Sequence, residues 1–209
     1  MSVQTDRWAL LLDGSFVLRK LSRRLGRPAE AADVIELLER ICSEPNLRDK
    51  PFLRAYFYDA PPAEGSLPPV LGAEPLDLSS TPVKKRREAL LKKLAHGPNL
   101  AVRLGQTVCR GWRLRPRVLK EMARKPRSLG PEDIRPDIEQ KGVDLRVGLD
   151  IARLALLHLV DTIVVVTGDS DFVPAFKFAR REGVRVYLVT LDHGVRPELK
   201  AHADIVLDV

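Results

Sequence analysis

Residues 162–189 read TIVVVTGDSDFVPAFKFARREGVRVYLV, which is an apolar run, an amphipathic segment and a second apolar run. The runs Thr162–Val166 and Val184–Val189 have the length and the branched aliphatic content of buried strands. Between them, Phe172–Arg181 has the apolar spacing of a helix. Apolar strands that alternate with helices are typical of a parallel sheet covered on both faces, so this segment predicts an α/β fold.

The rest of the chain continues this alternation. Strands are predicted at Trp8–Leu12, Phe52–Tyr58 and Ile205–Leu207. Helices are predicted at Phe16–Leu25, Ala31–Ile41, Pro82–His96, Val143–Val160 and Pro197–His202. Leu100–Leu104 and Val108–Leu114 predict a hairpin or a pair of short strands, and the proline-bearing segments 60–82 and 116–136 predict irregular chain. We therefore expect a single domain over residues 1–209, with a basic, partly irregular insertion at about 60–136.

The composition is that of a soluble globular protein, with 44% hydrophobic and 30% charged residues among 209. The longest apolar run, residues 151–160, contains Arg153 and His158, so we expect no membrane-spanning segment. No signal peptide is evident before the first strand, and we expect a cytoplasmic protein. The 2 cysteines do not make a disulfide scaffold, and the 4 histidines are too scattered to favour a zinc site.

One segment accounts for the formal charge of +7. Residues 84–127 hold 15 lysines and arginines but only two acids, Glu88 and Glu121, and the rest of the chain is net acidic. A solvated helix face with a mobile loop is the plain alternative, and an acidic membrane is a competing partner. No long amphipathic helix with an apolar aromatic face accompanies the charge, so the segment favours RNA, with single-stranded DNA left open. The residues predicted to hold the nucleic-acid backbone are Lys84, Lys85, Arg86, Arg87, Arg110, Arg113, Arg115 and Arg117.

Four aspartates lie where the predicted parallel strands end or where a helix begins. Asp13 ends the first strand, Asp169 and Asp171 follow Thr162–Val166, and Asp144 begins the helix after residue 142. Ligands of parallel sheets bind beyond the carboxyl ends of the strands. Carboxylates without a nearby His or Cys suit Mg²⁺ or Mn²⁺, and without a cation they repel one another. We therefore predict that these four residues bind one or two metal ions and are the catalytic residues of a phosphodiester hydrolase.

Each aspartate also has a purely structural alternative. Asp13 can begin a turn, and Asp144 and Asp171 can cap helices, where aspartate is favoured. The convergence of all four on one edge of the sheet is what favours a site. Asp150 is a weaker candidate because it lies about 120° around the helix from Asp144. Two other aspartates are expected to be turn residues, namely Asp161 and Asp192.

Three motifs resemble the NYN domain, a member of the PIN-like nuclease superfamily. They are LLLDGS at 10–15, KGVD at 141–144 and VVTGDSDF at 165–172, and the continuation to Val189 is similar as well. The resemblance implies a PIN-like three-layer α/β sandwich and metal-dependent ribonuclease activity, with the family's acids at Asp13, Asp144, Asp169 and Asp171. Because PIN-like domains often pair, it leaves a homodimer open. Phe16 stands where many members of the family have Asn.

Three functions remain in competition at this point. The first is a Mg²⁺- or Mn²⁺-dependent ribonuclease, in which Trp112 could stack a base among the arginines. The second is an RNA-binding or regulatory module without catalysis, which Phe16 and the unusual middle segment favour. The third, a phosphatase of the haloacid-dehalogenase type, is disfavoured because such enzymes need an Asp two residues after the nucleophile, where this chain has Ser15.

Overall fold

The computed structural model describes residues 6–72, 74–192 and 194–209. Its strands are β1 (Trp8–Asp13), β2 (Phe52–Asp59), β3 (Ser66–Leu67), β4 (Leu76–Asp77), β5 (Leu100–Leu104), β6 (Gln106–Leu114), β7 (Ile134–Lys141), β8 (Thr162–Val166), β9 (Arg185–Val189) and β10 (Ile205–Leu207). Its helices are α1 (Gly14–Leu25), α2 (Ala31–Cys42), α3 (Pro82–Ala95), α4 (Pro116–Arg124), α5 (Val143–Leu156), α6 (Val173–Arg181) and α7 (Pro197–Ala201). No helix among the described residues is long and apolar enough to cross a membrane.

The chain divides into two compact units. The sheet unit comprises the chain up to Asp59, Leu90–Gly105 and the chain from Gly142 onward, and the inserted unit comprises Ala60–Ala89 and Gln106–Lys141. The predicted insertion therefore has a different boundary, because residues 90–105 belong to the sheet unit. That the whole chain is a single domain stays a prediction.

The sheet unit confirms the predicted α/β class. Its six strands have the order β10-β9-β8-β1-β2-β5, and every neighbouring pair is parallel. The central strands β1 and β8 are buried along almost their whole length because both faces of the sheet are covered. In a sheet of this kind every strand ends at the same edge, so the segments after β1, β2, β8 and β9 share one rim.

The core of the sheet unit explains the apolar runs of the sequence. Trp8, Leu10 and Leu12 alternate along one face of β1 and pack with the buried side of α1, which includes Phe16 and Val17. A helix packed over a parallel strand must follow it closely in the chain, and α1 begins at the residue after β1. The direct strand-to-helix step is what leaves Asp13 at the rim.

The inserted unit contains more regular structure than the sequence predicts. β6 and β7 form an antiparallel ribbon, and β3 and β4 form a second, shorter one. The ribbon shifts register between Cys109 and Trp112, where Gly111 has a φ of 105°, and Pro136 pairs opposite Trp112 next to this irregularity. Proline is tolerated at a bulge or a sheet edge, so the Pro136 that argued for irregular chain fits the strand.

Two local predictions need correction for related reasons. Leu100–Leu104 and Val108–Leu114 do form two strands, which is one of the two predicted alternatives, but they do not form a hairpin, because β5 pairs with β2 in the main sheet and β6 pairs with β7. The segment 116–136, predicted to be irregular, contains α4, a 3₁₀ turn and the start of β7. The partner strand of β6 lies 20 residues or more along the chain, and local alternation does not reveal such a pairing.

Candidate active site

Thr167 connects the two central strand ends. Leu12 of β1 lies opposite Val166 of β8, so the next residues, Asp13 and Thr167, meet at the rim. The hydroxyl Oγ1 of Thr167 donates a hydrogen bond to Oδ2 of Asp13 at 3.1 Å and accepts one from the backbone N–H of Asp169 at 3.1 Å. Thr167 is fully buried, so this hydroxyl has no competing water and fixes both aspartate-bearing segments.

Asp13 has a capping role as well as its place at the rim. Its Oδ1 accepts hydrogen bonds from the backbone N–H of Phe16 and from Oγ of Ser15, both at 3.1 Å, and Asp13 is the N-cap of α1. The capping alternative is therefore realised at Asp13, and its role in a functional site stays a prediction. A carboxylate has about four lone-pair positions, and the hydrogen bonds found here use three of them.

The two aspartates after β8 have different environments. Asp169 caps a 3₁₀ turn at Ser170–Phe172, and its Oδ1 accepts the backbone N–H of Asp171 at 2.9 Å. Asp171 does not cap α6, whose N-cap is Phe172 without a side-chain cap. The capping alternative is thus realised by Asp169, one turn earlier than predicted for Asp171. Both aspartates are solvent-exposed at the rim.

Asp144 lies in the first turn of α5, and the N-cap of that helix is Gly142 with a φ of 71°. Partial loss of water around Asp144 raises the pKa of its carboxyl group, and the negative charges of Asp13, Asp169 and Asp171 raise this pKa further. The four predicted carboxylates thus come within electrostatic range of one another in the sheet unit. Repulsion of this kind is relieved by a proton or by a bound cation.

The donor chemistry of this cluster fits a hard divalent cation, because all four side chains offer only carboxylate oxygens. Asp144 and Asp171 accept no hydrogen bond from other described residues, so their oxygens are available to a cation. Among the described residues, however, no group of three or more His, Cys, Asp or Glu side chains is arranged as a metal-binding cluster. The arrangement therefore provides the ligand types for a metal ion, and the metal site itself stays a prediction.

The predicted RNA-binding residues lie in the inserted unit, and several are engaged there. Lys84 pairs with Glu64 at 2.9 Å and Glu88 at 3.4 Å. Two arginines of the ribbon pair across it and a third donates to a carbonyl: Arg110 with Glu139 at 2.9 Å, Arg113 with Asp137 at 3.1 Å, and Arg115 Nε with Glu132 O at 3.0 Å. Lys85, Arg86 and Arg117 are exposed without a carboxylate partner among the described residues, and Arg87 is half-buried.

Phe16 and Trp112 both have clear structural roles. Phe16 is buried in the core beneath α1, so its ring offers no polar group to the rim. The indole Nε1 of Trp112 donates to the carbonyl of Pro68 at 2.9 Å, which anchors the ribbon within the inserted unit. That bond restricts the orientation in which Trp112 could stack on a base.

Asp150, the weaker candidate, ties α5 to two strands of the sheet unit. Its Oδ2 accepts the hydroxyl of Tyr58 at 2.9 Å and lies 3.5 Å from Nε of Arg103. Burial, followed by the negative charge of Asp150, raises the pKa of Tyr58, so the phenol stays protonated and keeps donating. Asp150 thus positions the helix that carries Asp144.

Sequence reasoning missed two residues at the rim. Thr167 is the buried connector described above, and a polar residue directly after a wholly apolar strand was the available signal. Asp59 ends β2 and is fully buried beside the strand of Asp13. The same signal marked it, since Asp59 follows an aromatic strand just as Asp13 follows an apolar one.

The comparisons with known proteins agree with the fold. An uncharacterized protein of Methanocaldococcus jannaschii is 32% identical over 74 residues, which are 35% of this chain and 31% of that protein, so the match spans about a third of the relative. The crystal structure of a protein of unknown function from Vibrio parahaemolyticus has a similar fold, with a TM-score of 0.54, 16% identity and coverage of 99% of this chain and 94% of the other. The family model of the NYN domain matches residues 7–209. Because this match covers nearly the whole chain, the protein belongs to the NYN domain family of the PIN-like nuclease superfamily.

Proposed function

We propose that this protein is a metal-dependent ribonuclease that hydrolyses RNA phosphodiester bonds at the rim of the sheet unit. The observation that carries the proposal is the convergence of Asp13, Asp144, Asp169 and Asp171, from three separate segments, within range of mutual repulsion. The family supports it, because PIN-like nucleases typically use divalent metal ions. Structural roles explain Asp13 and Asp169 in part, but they leave Asp144 and Asp171 without an explanation.

The aspartates have distinct tasks in this proposal. Mg²⁺ or Mn²⁺, when bound, would lower the pKa of a water molecule and neutralise charge on the phosphate. Asp144 and Asp171 would hold the cation with oxygens that no other described residue uses. Asp13 and Asp169 would hold it in the orientation that Thr167 gives them. Without the cation, Asp144 takes up a proton more readily than an ordinary aspartate, because its pKa is raised.

The inserted unit would contribute to RNA binding in this proposal. Three members of the predicted set are exposed and have no carboxylate partner in the described part of the chain, namely Lys85, Arg86 and Arg117. Their positive charge is therefore available to a phosphate. The ion-paired arginines would have to exchange a carboxylate for a phosphate, which lowers their net contribution. We therefore expect these three residues to account for most of the phosphate contacts of this unit.

A second candidate is an RNA-binding NYN module without catalysis. The buried ring of Phe16 favours it, because the rim lacks the amide that many relatives have at this position. The two candidates differ in what the aspartates do. A binding module needs none of the four carboxylates, whereas the nuclease loses its activity when any pair is neutralised.

The test is cleavage of a labelled structured RNA with Mn²⁺, Mg²⁺ or EDTA. The Asp169→Asn/Asp171→Asn variant removes two charges at the rim, and Asp49→Asn/Glu182→Gln removes two from residues that precede β2 and β9, at the opposite edge of the sheet. The nuclease predicts cutting that needs metal, that persists in the control variant and that disappears in the rim variant. RNA binding without cutting under any metal, equal in all three proteins, would instead support the binding module.

A further inference from the structure

We propose that the sheet unit carries its own phosphate-binding surface for the RNA strand, formed by Arg196 at the rim and by Arg19, Lys20 and Arg23 along α1. The proposal rests on RNA being the substrate of the proposed function, but it does not require that the RNA is cut. It departs from the sequence analysis, in which every predicted RNA contact lies in the inserted unit.

Arg196 is fixed beside the aspartates without being neutralised by them. Its Nη1 donates to Oγ of Ser170 at 3.1 Å, and Ser170 stands between Asp169 and Asp171 in the chain. Within the described ranges, no carboxylate oxygen lies within 4.0 Å of its guanidinium nitrogens. A guanidinium has five N–H donors, so most of them remain available to a phosphate next to the acidic cluster.

Helix α1 presents an unusual concentration of positive charge. Residues 14–29 contain five arginines and lysines and no acid. Arg24 and Arg27 are paired, with Asp192 and with Asp33 respectively, both at 2.7 Å. The remaining three cations, Arg19, Lys20 and Arg23, have no carboxylate partner among the described residues.

The three unpaired cations occupy one side of the helix. Arg19 and Arg23 are four residues apart and Lys20 and Arg23 three apart, spacings at which like charges lie side by side and destabilise a helix. Arg19 and Lys20 also lie over the ring of Phe16, at 5.9 Å and 5.8 Å from its centroid. The buried Phe16 therefore helps to hold two of them, and a polyanion would relieve their repulsion.

An open cleft runs along this surface. Lys20, Arg23 and Arg24 line it together with Leu21, Leu191 and Asp192, and its volume is about 370 Å³. One wall is α1, which starts from Asp13 at the rim, and the other is formed by Leu191 and Asp192, which follow β9 at the same edge of the sheet. Both walls thus connect the cleft to the aspartates within a single unit.

The spacing fits a nucleic-acid strand that leaves the rim along α1. Lys20 and Arg23 follow Asp13 by seven and ten residues, which is roughly 10–15 Å along a helix axis. A stacked strand rises about 3.4 Å per nucleotide. The cations of α1 would therefore contact phosphates about three to four nucleotides from a phosphate beside Asp13 at the rim. RNA length thus becomes a way to separate the contacts of α1 from those at the rim.

The experiment measures binding of labelled oligouridylates of three and twelve nucleotides, in EDTA so that no hydrolysis occurs. Three proteins are compared with the wild type: Arg196→Ala, the α1 variant Arg19→Ala/Lys20→Ala/Arg23→Ala, and a control variant Lys177→Ala/Arg181→Ala/Arg185→Ala. The control removes the same charge from a cleft of about 410 Å³ at the amino end of β9, on the opposite edge of the sheet. Thermal unfolding of each variant shows that it is folded.

We expect the α1 variant to bind the twelve-nucleotide RNA at least about tenfold more weakly than the wild type. The slope of the logarithm of the binding constant against the logarithm of the salt concentration should become shallower by about 2, since each of the three lost phosphate contacts contributes roughly 0.7. Binding of the three-nucleotide RNA should be unchanged in the α1 variant and weakened by Arg196→Ala. Arg196→Lys should bind the three-nucleotide RNA more tightly than Arg196→Ala but less tightly than the wild type, because lysine restores the charge without the planar guanidinium group. The control variant should bind both RNAs like the wild type.

Other outcomes overturn the proposal. Equal losses in the α1 and control variants would mean a non-specific charge effect, and unchanged binding in the α1 variant would mean that RNA does not use this surface. If the α1 variant binds RNA like the wild type but no longer binds phosphatidylglycerol vesicles, the surface binds a membrane instead. Failure of the proposed function is a separate result, since a protein that never cuts RNA can still lose binding in the α1 variant.

Discussion

Thr167 and Asp13 form the hydrogen bond that joins the two central strand ends, with Oγ1 of Thr167 3.1 Å from Oδ2 of Asp13. Because Thr167 also accepts the N–H of Asp169, one buried hydroxyl orients two of the four aspartates. A connector beneath a metal site commonly tunes the affinity of its ligands. The geometry of this cluster therefore depends on Thr167 as much as on the carboxylates themselves.

Replacing Thr167 by Val should separate the aspartates without unfolding the protein. The change leaves Oδ2 of Asp13 and the N–H of Asp169 without this partner, which costs on the order of 1–3 kcal/mol of stability. We also expect Mn²⁺ affinity to fall about 10–100-fold, as for other residues behind metal ligands. Calorimetric titration and thermal unfolding measure the two effects.

Thr162→Val is the matched control for this prediction. Thr162 is also fully buried, but its Oγ1 has no hydrogen-bond partner in the described structure. Removing an unpaired buried hydroxyl is neutral or stabilising, so Thr162→Val should keep both stability and Mn²⁺ affinity. If the two valine variants behave alike, Thr167 does not orient the site.

Asp144→Asn should stabilise the metal-free protein at neutral pH. The pKa of Asp144 is raised in the folded state, so its ionised form opposes folding above the ordinary aspartate pKa of about 3.9, and the gain from the substitution should vanish below that value. The same variant should lose most of the stabilisation that Mn²⁺ gives the wild type. Thermal unfolding in EDTA and in Mn²⁺, as a function of pH, gives both comparisons.

Asp150→Asn provides the contrast for Asp144→Asn. Asp150 is paired with Arg103 and accepts the phenol of Tyr58, so neutralising it removes attractive contacts and should destabilise the protein at neutral pH. The two substitutions are thus expected to change the free energy of unfolding in opposite directions, because Asp144 is repelled by the other aspartates at the rim whereas Asp150 is attracted to its partners. Destabilisation by Asp144→Asn in EDTA would contradict the electrostatic description of the cluster.

The inserted unit should be sensitive to acid through Asp133. Arg127 forms a two-pronged pair with this side chain, at 2.5 Å and 2.6 Å, and together with the N–H of Gly130 it lowers the pKa of Asp133 to about 2. A lowered folded-state pKa gives stability that is present at neutral pH and is lost as the pH falls from about 4 through about 2. Asp133→Asn should therefore weaken the unit at pH 7 and flatten its acid dependence.

Hydrogen exchange of peptides from 106–141 measures this effect locally. The wild type should lose protection in this region as the pH is lowered, after correction for the intrinsic exchange rate, and Asp133→Asn should already show low protection at neutral pH. Asp137→Asn is a suitable comparison, because Asp137 is more exposed and pairs only with Arg113 in the described structure. Equal profiles in the three proteins would show that the Arg127–Asp133 pair does not stabilise the unit.

Gly14→Ala should damage the start of α1 and with it the position of Asp13. A Cβ at residue 14 would lie 2.5 Å from the backbone oxygen of Tyr58 and 2.8 Å from the ring of Phe57. Such a contact requires the helix to move, at a cost of about 1–3 kcal/mol. Gly148→Ala in α5 meets nothing within 4 Å and should instead stabilise by roughly 0.5–1 kcal/mol. Chemical unfolding of both variants tests the difference in sign.

The sequence allowed prediction of the parallel sheet and of the four aspartates because both depend on local patterns. Buried parallel strands appear as continuous apolar runs, and the residues that end or closely follow such a run lie at the rim, as Asp13 and Asp169 do. The β6–β7 ribbon could not be predicted in this way, since its strands are exposed on one side and Pro136 interrupts the pattern. The pairing of Lys84 with Glu64 was equally hidden, because it depends on which residues meet in space, whereas the i,i+4 spacing of Glu88 from Lys84 is visible in the sequence.

The most direct test of the central claim is the binding of Mn²⁺ to the folded protein, measured by the loss of its free paramagnetic signal. We predict saturable binding by the wild type and by Asp49→Asn/Glu182→Gln, and none at the same concentrations by Asp144→Asn/Asp171→Asn. Absence of saturable binding in the wild type, or equal binding in the rim variant, would contradict the assignment of Asp13, Asp144, Asp169 and Asp171 as the metal ligands of this NYN protein.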